Sequence, residues 1–84
     1  MAILIGTDGI ITPIEPKNKR NFSLRELQDY VEGYIEIIRL PNHNIMVVNE
    51  EGRLRRLKVN PHASLVAQQA IVGNAVLCND SQIK

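Results

Sequence analysis

The stretch Phe22 to Leu40, FSLRELQDYVEGYIEIIRL, constrains the fold more than any other part of the chain, because it encodes a helix, its stop and the strand that follows. Ser23 is a favoured N-cap. Glu26 three residues later completes a capping box, so two otherwise orphaned backbone N–H groups find side-chain oxygens. Phe22 stands where it can staple onto Leu27. Leu24, Leu27 and Val31 recur at helical spacing and mark the expected buried stripe, leaving Arg25, Gln28, Asp29 and Glu32 on the wet side. Gly33, which lacks a Cβ, is the expected left-handed residue that ends the helix, and Tyr34 to Leu40 follows as a β-rich run.

The chain before this stretch reads as strand, turn, strand. Ala2 to Ile5 and Ile10 to Ile14 are apolar runs separated by Gly6-Thr7-Asp8-Gly9, and Asp-Gly between β-formers is a strong hairpin signal. Pro13 has no N–H to donate and assigns the second run to a sheet edge or a strand end. Glu15 to Asn21 is a polar, proline-bearing connection, and its Lys17, Lys19 and Arg20 fit either a solvated loop or an anion-binding rim.

After the helix, Tyr34 to Leu40 leads through Pro41-Asn42-His43-Asn44 into Ile45 to Asn49, a second hairpin. Ile35 and Ile37 alternate with Glu36 until Ile38 breaks the pattern, which implies that both faces of this strand are partly covered. Glu50-Glu51-Gly52 is a third turn, and Arg53 to Val59 is expected to be partly strand. Asn60-Pro61 begins a second helix running to about Gln69, Asn as N-cap and Pro at the first helical position. That helix is expected to bury Leu65 and Val66, with Ala63 or Ala70 beside them. Gly73-Asn74 turns the chain into a last strand, Ala75 to Cys78, and residues 79–84 read as a frayed tail.

The expected architecture is one α+β domain: a small antiparallel sheet of β-hairpins with one well-capped helix and one short second helix. It divides into a hairpin over 1–14, a central region over 22–78 and the tail. Eighty-four residues bury a modest core, so a partner subunit would add stability, and a homo-oligomer is expected. Aromatic residues are only 4% of the chain, which leaves Ile, Leu, Val and Ala to fill that core. A formal charge of +1 argues against DNA binding by bulk electrostatics. The lone Cys78 excludes an internal disulfide and fits a reducing compartment. Met1 to Ile5 lacks the basic head and length of a signal peptide, and no stretch reaches membrane-spanning length, so the cytoplasm is the expected location.

No residue set identifies a reaction. His43, His62 and Cys78 lie far apart and do not make a metal site, no cofactor motif is present, and Ser64, Ser81 and Cys78 have no recognisable base beside them. Gly6 and Gly9 precede no helix that could receive a phosphate. Glu50 and Glu51 fit solvent-facing turn residues more simply than acid–base groups. The run Arg53-Leu54-Arg55-Arg56-Leu57-Lys58 is the most suggestive segment. As a strand it places Arg53 and Arg55 on one face and Arg56 and Lys58 on the other. Arginine suits bidentate recognition of phosphate, Asn49 and Asn60 bracket the run with neutral donors, and Tyr34 and Tyr30 offer either a stacking surface for a base or packing for a core poor in aromatics. Two readings stay open: a small anion or nucleotide site, or an edge strand protected by charge.

Taken together, FSLRELQDYVEGYIEIIRL, MVVNEEGRLRRLKVNPHA and IVGNAVLC resemble a family known as domain of unknown function 3846, found in bacteria, their mobile elements and their phages. The resemblance covers about Phe22 to Cys78. Its marks are Leu27 running into Gly33 and Glu36, the Asn49-Glu50-Glu51-Gly52 turn, Asn60, Ala63 and Ile71-Val72-Gly73. It implies a small, non-enzymatic accessory protein of phage or mobile DNA. The leading expectation is a protein that sequesters a small phosphate-bearing ligand, such as a nucleotide immune signal, between subunits as counter-defence, using Tyr34, Asn49, Arg53, Arg55, Arg56 and Asn60. The alternative is a protein-interaction module that binds and inhibits a host protein through a sheet edge or the helix surface.

Overall fold

The computed structural model describes residues 2–83; Met1 and Lys84, the outermost residues of the expected hairpin and tail, lie outside the described residues. Strands β1 (Ala2–Ile5), β2 (Ile11–Ile14), β3 (Ile35–Arg39), β4 (Asn44–Asn49) and β5 (Ala75–Asn79) form one antiparallel sheet in the order β2-β1-β5-β4-β3. Each hairpin pairs within itself, and the last strand lies between the two. Helix α1 (Leu24–Val31) covers one face of the sheet and α2 (Pro61–Ala67) lies against the other. The fold is α+β, as the hairpins and capped helix imply.

Strand alternation divides the core in two. Ala2, Ile45, Val47, Val76 and Cys78 point toward α1 and pack with Phe22, Leu27 and Val31. Ile5, Met46, Val48 and Ala75 point the other way, onto Ala63, Ala67 and Ile71. β3 touches both: Ile35 packs on the first cluster and Ile38 on the second. This is why the alternation in its sequence breaks.

α1 starts as its residues dictate. Ser23 Oγ accepts from Glu26 N at 3.1 Å, and Glu26 Oε1 accepts from Ser23 N at 3.1 Å. The stripe is shorter than expected, because Leu24 is exposed while Phe22, wholly buried and edge-on to Tyr30, fills the core at this end. The stop also differs. Glu32, not Gly33, takes the left-handed conformation, with φ 64°. Gly33 is required by proximity: a Cβ there would lie 2.7 Å from Asn49 Nδ2 and 2.9 Å from Arg55 Nη1.

α2 corrects a second expectation. Leu65 is 80% exposed and Val66 40%, Ala70 is exposed, and Ala63 and Ala67 are the buried residues. The cause is Asn60. Its side chain is fully buried, caps Ala63 N at 3.0 Å and fixes the rotation of the helix, so positions 60, 63 and 67 share the inward face. Small residues there let the helix approach the sheet closely.

Two further segments differ from the sequence reading. Arg53 to Val59 is not an edge strand. Residues 50–56 are consecutive turns, in which Arg55 N donates to Glu51 O, Arg56 N to Arg53 O and Leu57 N to Gly52 O, and only Val59 bridges Val72. Nor is the described part of the tail frayed. Asn79 caps a 3-10 turn, Asp80–Gln82, Phe22 N donates to Gln82 O at 2.6 Å, and Ile83 bridges Phe22.

The two sheet edges are unlike. In an antiparallel pair, residues with both main-chain groups turned to the neighbour alternate with residues whose groups point away. Leu40 N donates to Asn44 O and Glu50 N donates to Tyr34 O, so the even-numbered residues of β3 face β4. Ile35, Ile37 and Arg39 therefore present their N–H and C=O groups outward. On β2 the same reasoning from Gly6 N to Ile10 O turns Ile11 and Pro13 outward, and Pro13 has no hydrogen to donate.

Candidate functional site

A cleft of about 300 Å³ opens where β3 and β4 meet the 50–54 turns and residues 69–72, which follow α2. Its floor and apolar wall are Ile38, Val48, Ile71 and Val72. Its polar groups are Glu36, Glu50, Gln69 and the Arg53 guanidinium. Arg53 Nη2 donates a long hydrogen bond of 3.5 Å to Ala70 O, which holds the cation at the rim while leaving its other donors exposed. Leu54, 85% exposed, stands beside it.

Of the residues expected to form a site, Asn49 and Arg53 come together here and the others do not. Asn49 is buried, its Nδ2 donating to Val31 O at 3.0 Å and its Oδ1 accepting from Glu51 N at 2.8 Å. It ties the end of α1 to the 50–56 turns. Asn60 is deeper still: Nδ2 donates to Ile5 O at 3.0 Å and Gly73 O at 2.9 Å while Oδ1 caps α2. Asn60 thus donates to two main-chain carbonyls and Asn49 to one. Arg55 turns toward α1, where its Nη1 donates to the carbonyl of Glu32. Arg56 is exposed, in a left-handed conformation with φ 55°. The shared face expected for Arg53 and Arg55 is absent because the segment is turns.

Tyr34, 64% exposed, borders a different groove on the α1 side of β3. Asp29, Glu32 and Glu51 line that groove with Arg25, and Arg25 Nε is paired to Asp29 Oδ1 at 3.3 Å. It is acidic. The carboxylates Glu36 and Glu50 and the amide Gln69 were not singled out as binding groups, yet they face the cleft. The signal for Glu36 lay in strand alternation, which puts it on the face of Ile38 and Val48; nothing local marks Gln69.

Cys78 is placed for packing. Burial pushes the Cys78 thiol up to about 11, away from the thiolate that nucleophilic chemistry needs. His43 Nδ1 lies 3.5 Å from Asp80 Oδ2 at the end of the second hairpin. Among the described residues, no three His, Cys, Asp or Glu side chains gather where they could hold a metal ion. No described helix is long and apolar enough to cross a membrane.

Comparison with known proteins gave no match to a curated protein and none to a solved structure. The profile of one family, described as domain of unknown function (DUF3846), matches residues 2–83. The match takes in both the first hairpin and the C-terminal 3-10 turn, beyond the 22–78 region in which the resemblance is carried by motifs. The hairpin β1–β2, the capped helix, the 50–52 turn and the docked C-terminal segment form one unit, and this chain belongs to the DUF3846 family.

Proposed function

We propose that this protein binds a small phosphate-bearing ligand without converting it, in the cleft beside β3. The observation that carries this reading is the mixed lining of the cleft. Arg53 offers a cation to a phosphate, Glu36, Glu50 and Gln69 offer acceptors to amino or hydroxyl groups, and Ile38, Val48 and Val72 offer an apolar surface. A nucleotide carries all three kinds of group. Arg55 and Arg56 add positive potential nearby, and Asn49 fixes the 50–56 turns that carry Arg53, whereas Tyr34 and Asn60 lie outside the cleft. In a bacterial cytoplasm such a protein, encoded by a phage or mobile element, acts by removing a nucleotide signal from the host's defence.

The test is a thermal-shift panel of nucleoside di- and triphosphates, cyclic mono- and dinucleotides and inorganic pyrophosphate. A ligand that binds only the native state raises the melting temperature, and Arg53→Ser is expected to abolish that rise without lowering the melting temperature of the free protein. No shift with any of these at millimolar concentration sinks the reading.

A second reading is favoured by α2. Leu65 and Val66 stand exposed on a helix whose inward face is already filled by alanines, which suits docking to a host protein. Capture of a stoichiometric host protein by the native chain, lost on Leu65→Lys, supports that reading.

A further inference from the structure

The geometry points to a second copy of this chain as the occupant of the open β3 edge, paired antiparallel about a two-fold axis through Ile37, so that the partner subunit supplies the outer wall of the cleft. The argument starts from the free main-chain groups. Ile35, Ile37 and Arg39 turn their N–H and C=O groups away from β4, whereas the opposite edge of the sheet is blunted by Pro13. An unpaired strand of this kind accepts another strand.

Side-chain alternation then selects the register. Residues facing one another across an antiparallel seam must lie on the same face of the sheet, so the two-fold axis passes through a residue and not between two. Centred on Glu36, the pairing sets two carboxylates against each other and calls on Gly33 N, which already donates to Gln28 O. Centred on Ile38, it sets Ile35 opposite the partner's Pro41, which has no N–H. Centred on Ile37, every outward group is used: Ile37 pairs with the partner's Ile37, and Ile35 with the partner's Arg39.

Charge agrees with this register. The partner's Arg39, opposite Ile35 on the α1 face, arrives beside the groove that holds Glu32 and Glu51 at the end of α1. The C-terminal end of a helix favours cations: Arg55 already donates to the Glu32 carbonyl there, and the partner's Arg39 adds a second cation to a groove that still holds the carboxylates of Glu32 and Glu51. The symmetric contact forms twice. Ile37, left 38% exposed because α1 does not cover the edge, meets its own copy on the axis.

On the opposite face the pairing sets Glu36 against the partner's Ile38. Both residues line the cleft, so the two clefts meet across the seam and each gains a wall that the single chain lacks. This part of the inference rests on the binding reading above; the association does not.

Sedimentation equilibrium of the full chain without ligand, from low to high micromolar concentration, tests it. A dimer is expected. Ile37→Lys, which sets two cations together on the axis, is expected to be monomeric with native circular dichroism and cooperative unfolding. Should that variant fail to fold, the exposed pair decides: Arg39→Glu is expected to weaken dimerisation about tenfold, and Arg39→Glu with Glu51→Lys to restore it. A wild-type chain that stays monomeric overturns the inference. So does a dimer that survives Ile37→Lys in a folded protein, or one indifferent to Arg39→Glu. Because no nucleotide enters the experiment, a blank thermal-shift panel sinks the ligand reading and leaves the dimer standing.

Discussion

Asn60 and Ile5, 55 positions apart in the chain, are joined by a hydrogen bond of 3.0 Å from the side-chain amide of one to the carbonyl of the other. The same amide also holds Gly73 O, so the start of α2, the end of β1 and the turn before β5 meet at one buried side chain. Asn60→Ala removes a helix cap and the two bonds the amide donates to the Ile5 and Gly73 carbonyls, and it is expected to cost about 3 kcal/mol, read from urea unfolding. Asn60→Asp keeps the capping oxygen but faces a carboxylate toward those carbonyls. It is expected to be at least as damaging near neutral pH, with partial recovery once the acid is protonated.

Gly33 is a second point of convergence. Alanine there presses a Cβ against Asn49 Nδ2, which is buried and bonded to Val31 O, and against the Arg55 guanidinium on the Glu32 carbonyl. The exposed Arg55 side chain can swing aside, but the buried Asn49 amide cannot retreat without straining its hydrogen bond. Gly33→Ala is expected to destabilise by about 1–3 kcal/mol, a loss that chemical denaturation would register.

Both helices end on a left-handed residue that is not glycine. Gln68, with φ 56°, is exposed and is not among the residues that line the cleft. Gln68→Gly is expected to raise stability by about 0.5–1 kcal/mol, the relief of steric strain exceeding the added freedom of the unfolded chain. A lower unfolding midpoint in this variant would show that the side chain contributes something the backbone conformation does not reveal.

Stability should respond to pH at both extremes. Main-chain N–H groups of Lys17 and Ser23 hold the Glu26 carboxyl below its ordinary 4.5, so the native state is favoured above that value and loses this contribution as the pH falls through the depressed one. Glu26→Gln should flatten the acid limb of a melting-temperature profile. Cys78 acts in the opposite sense: burial raises its thiol from 9.0 to about 11, so its contribution is intact below 9 and is lost as the pH climbs through 11. Cys78→Ser should flatten the alkaline limb, and native Cys78 should resist alkylation at neutral pH.

Local signals and long-range ones were not equally legible in the sequence. Ser23 with Glu26, Asn60 with Pro61, and Asp8 with Gly9 each act through backbone groups a few residues away, and the structure places a cap or a turn at each. The rotation of α2 was hidden, because Asn60 reads as a surface cap until its other partners, Ile5 and Gly73, are known. The arginine run misled for a related reason. Its residues have strand-like spacing, but main-chain bonds from Arg55, Arg56 and Leu57 close it into turns that send each guanidinium elsewhere. Arg53 reached the cleft. Glu36, Glu50 and Gln69 arrived there from three separate segments, which no short-range pattern records.

The placement of β5 between the two hairpins sets how this sheet must assemble. β1 with β2 and β3 with β4 are neighbours in sequence, and such hairpins form within microseconds to about ten. Neither can become part of a sheet until residues 75–79 arrive, since Ile3 pairs with Leu77 and Ile45 with Cys78. Folding of this small domain is therefore limited by one long-range closure, which carries a high loop entropy and ranks it with slow β-rich proteins of its size. Until that closure, the apolar edges of both hairpins are exposed together. The interval before β5 docks is when this chain is most exposed to aggregation and proteolysis.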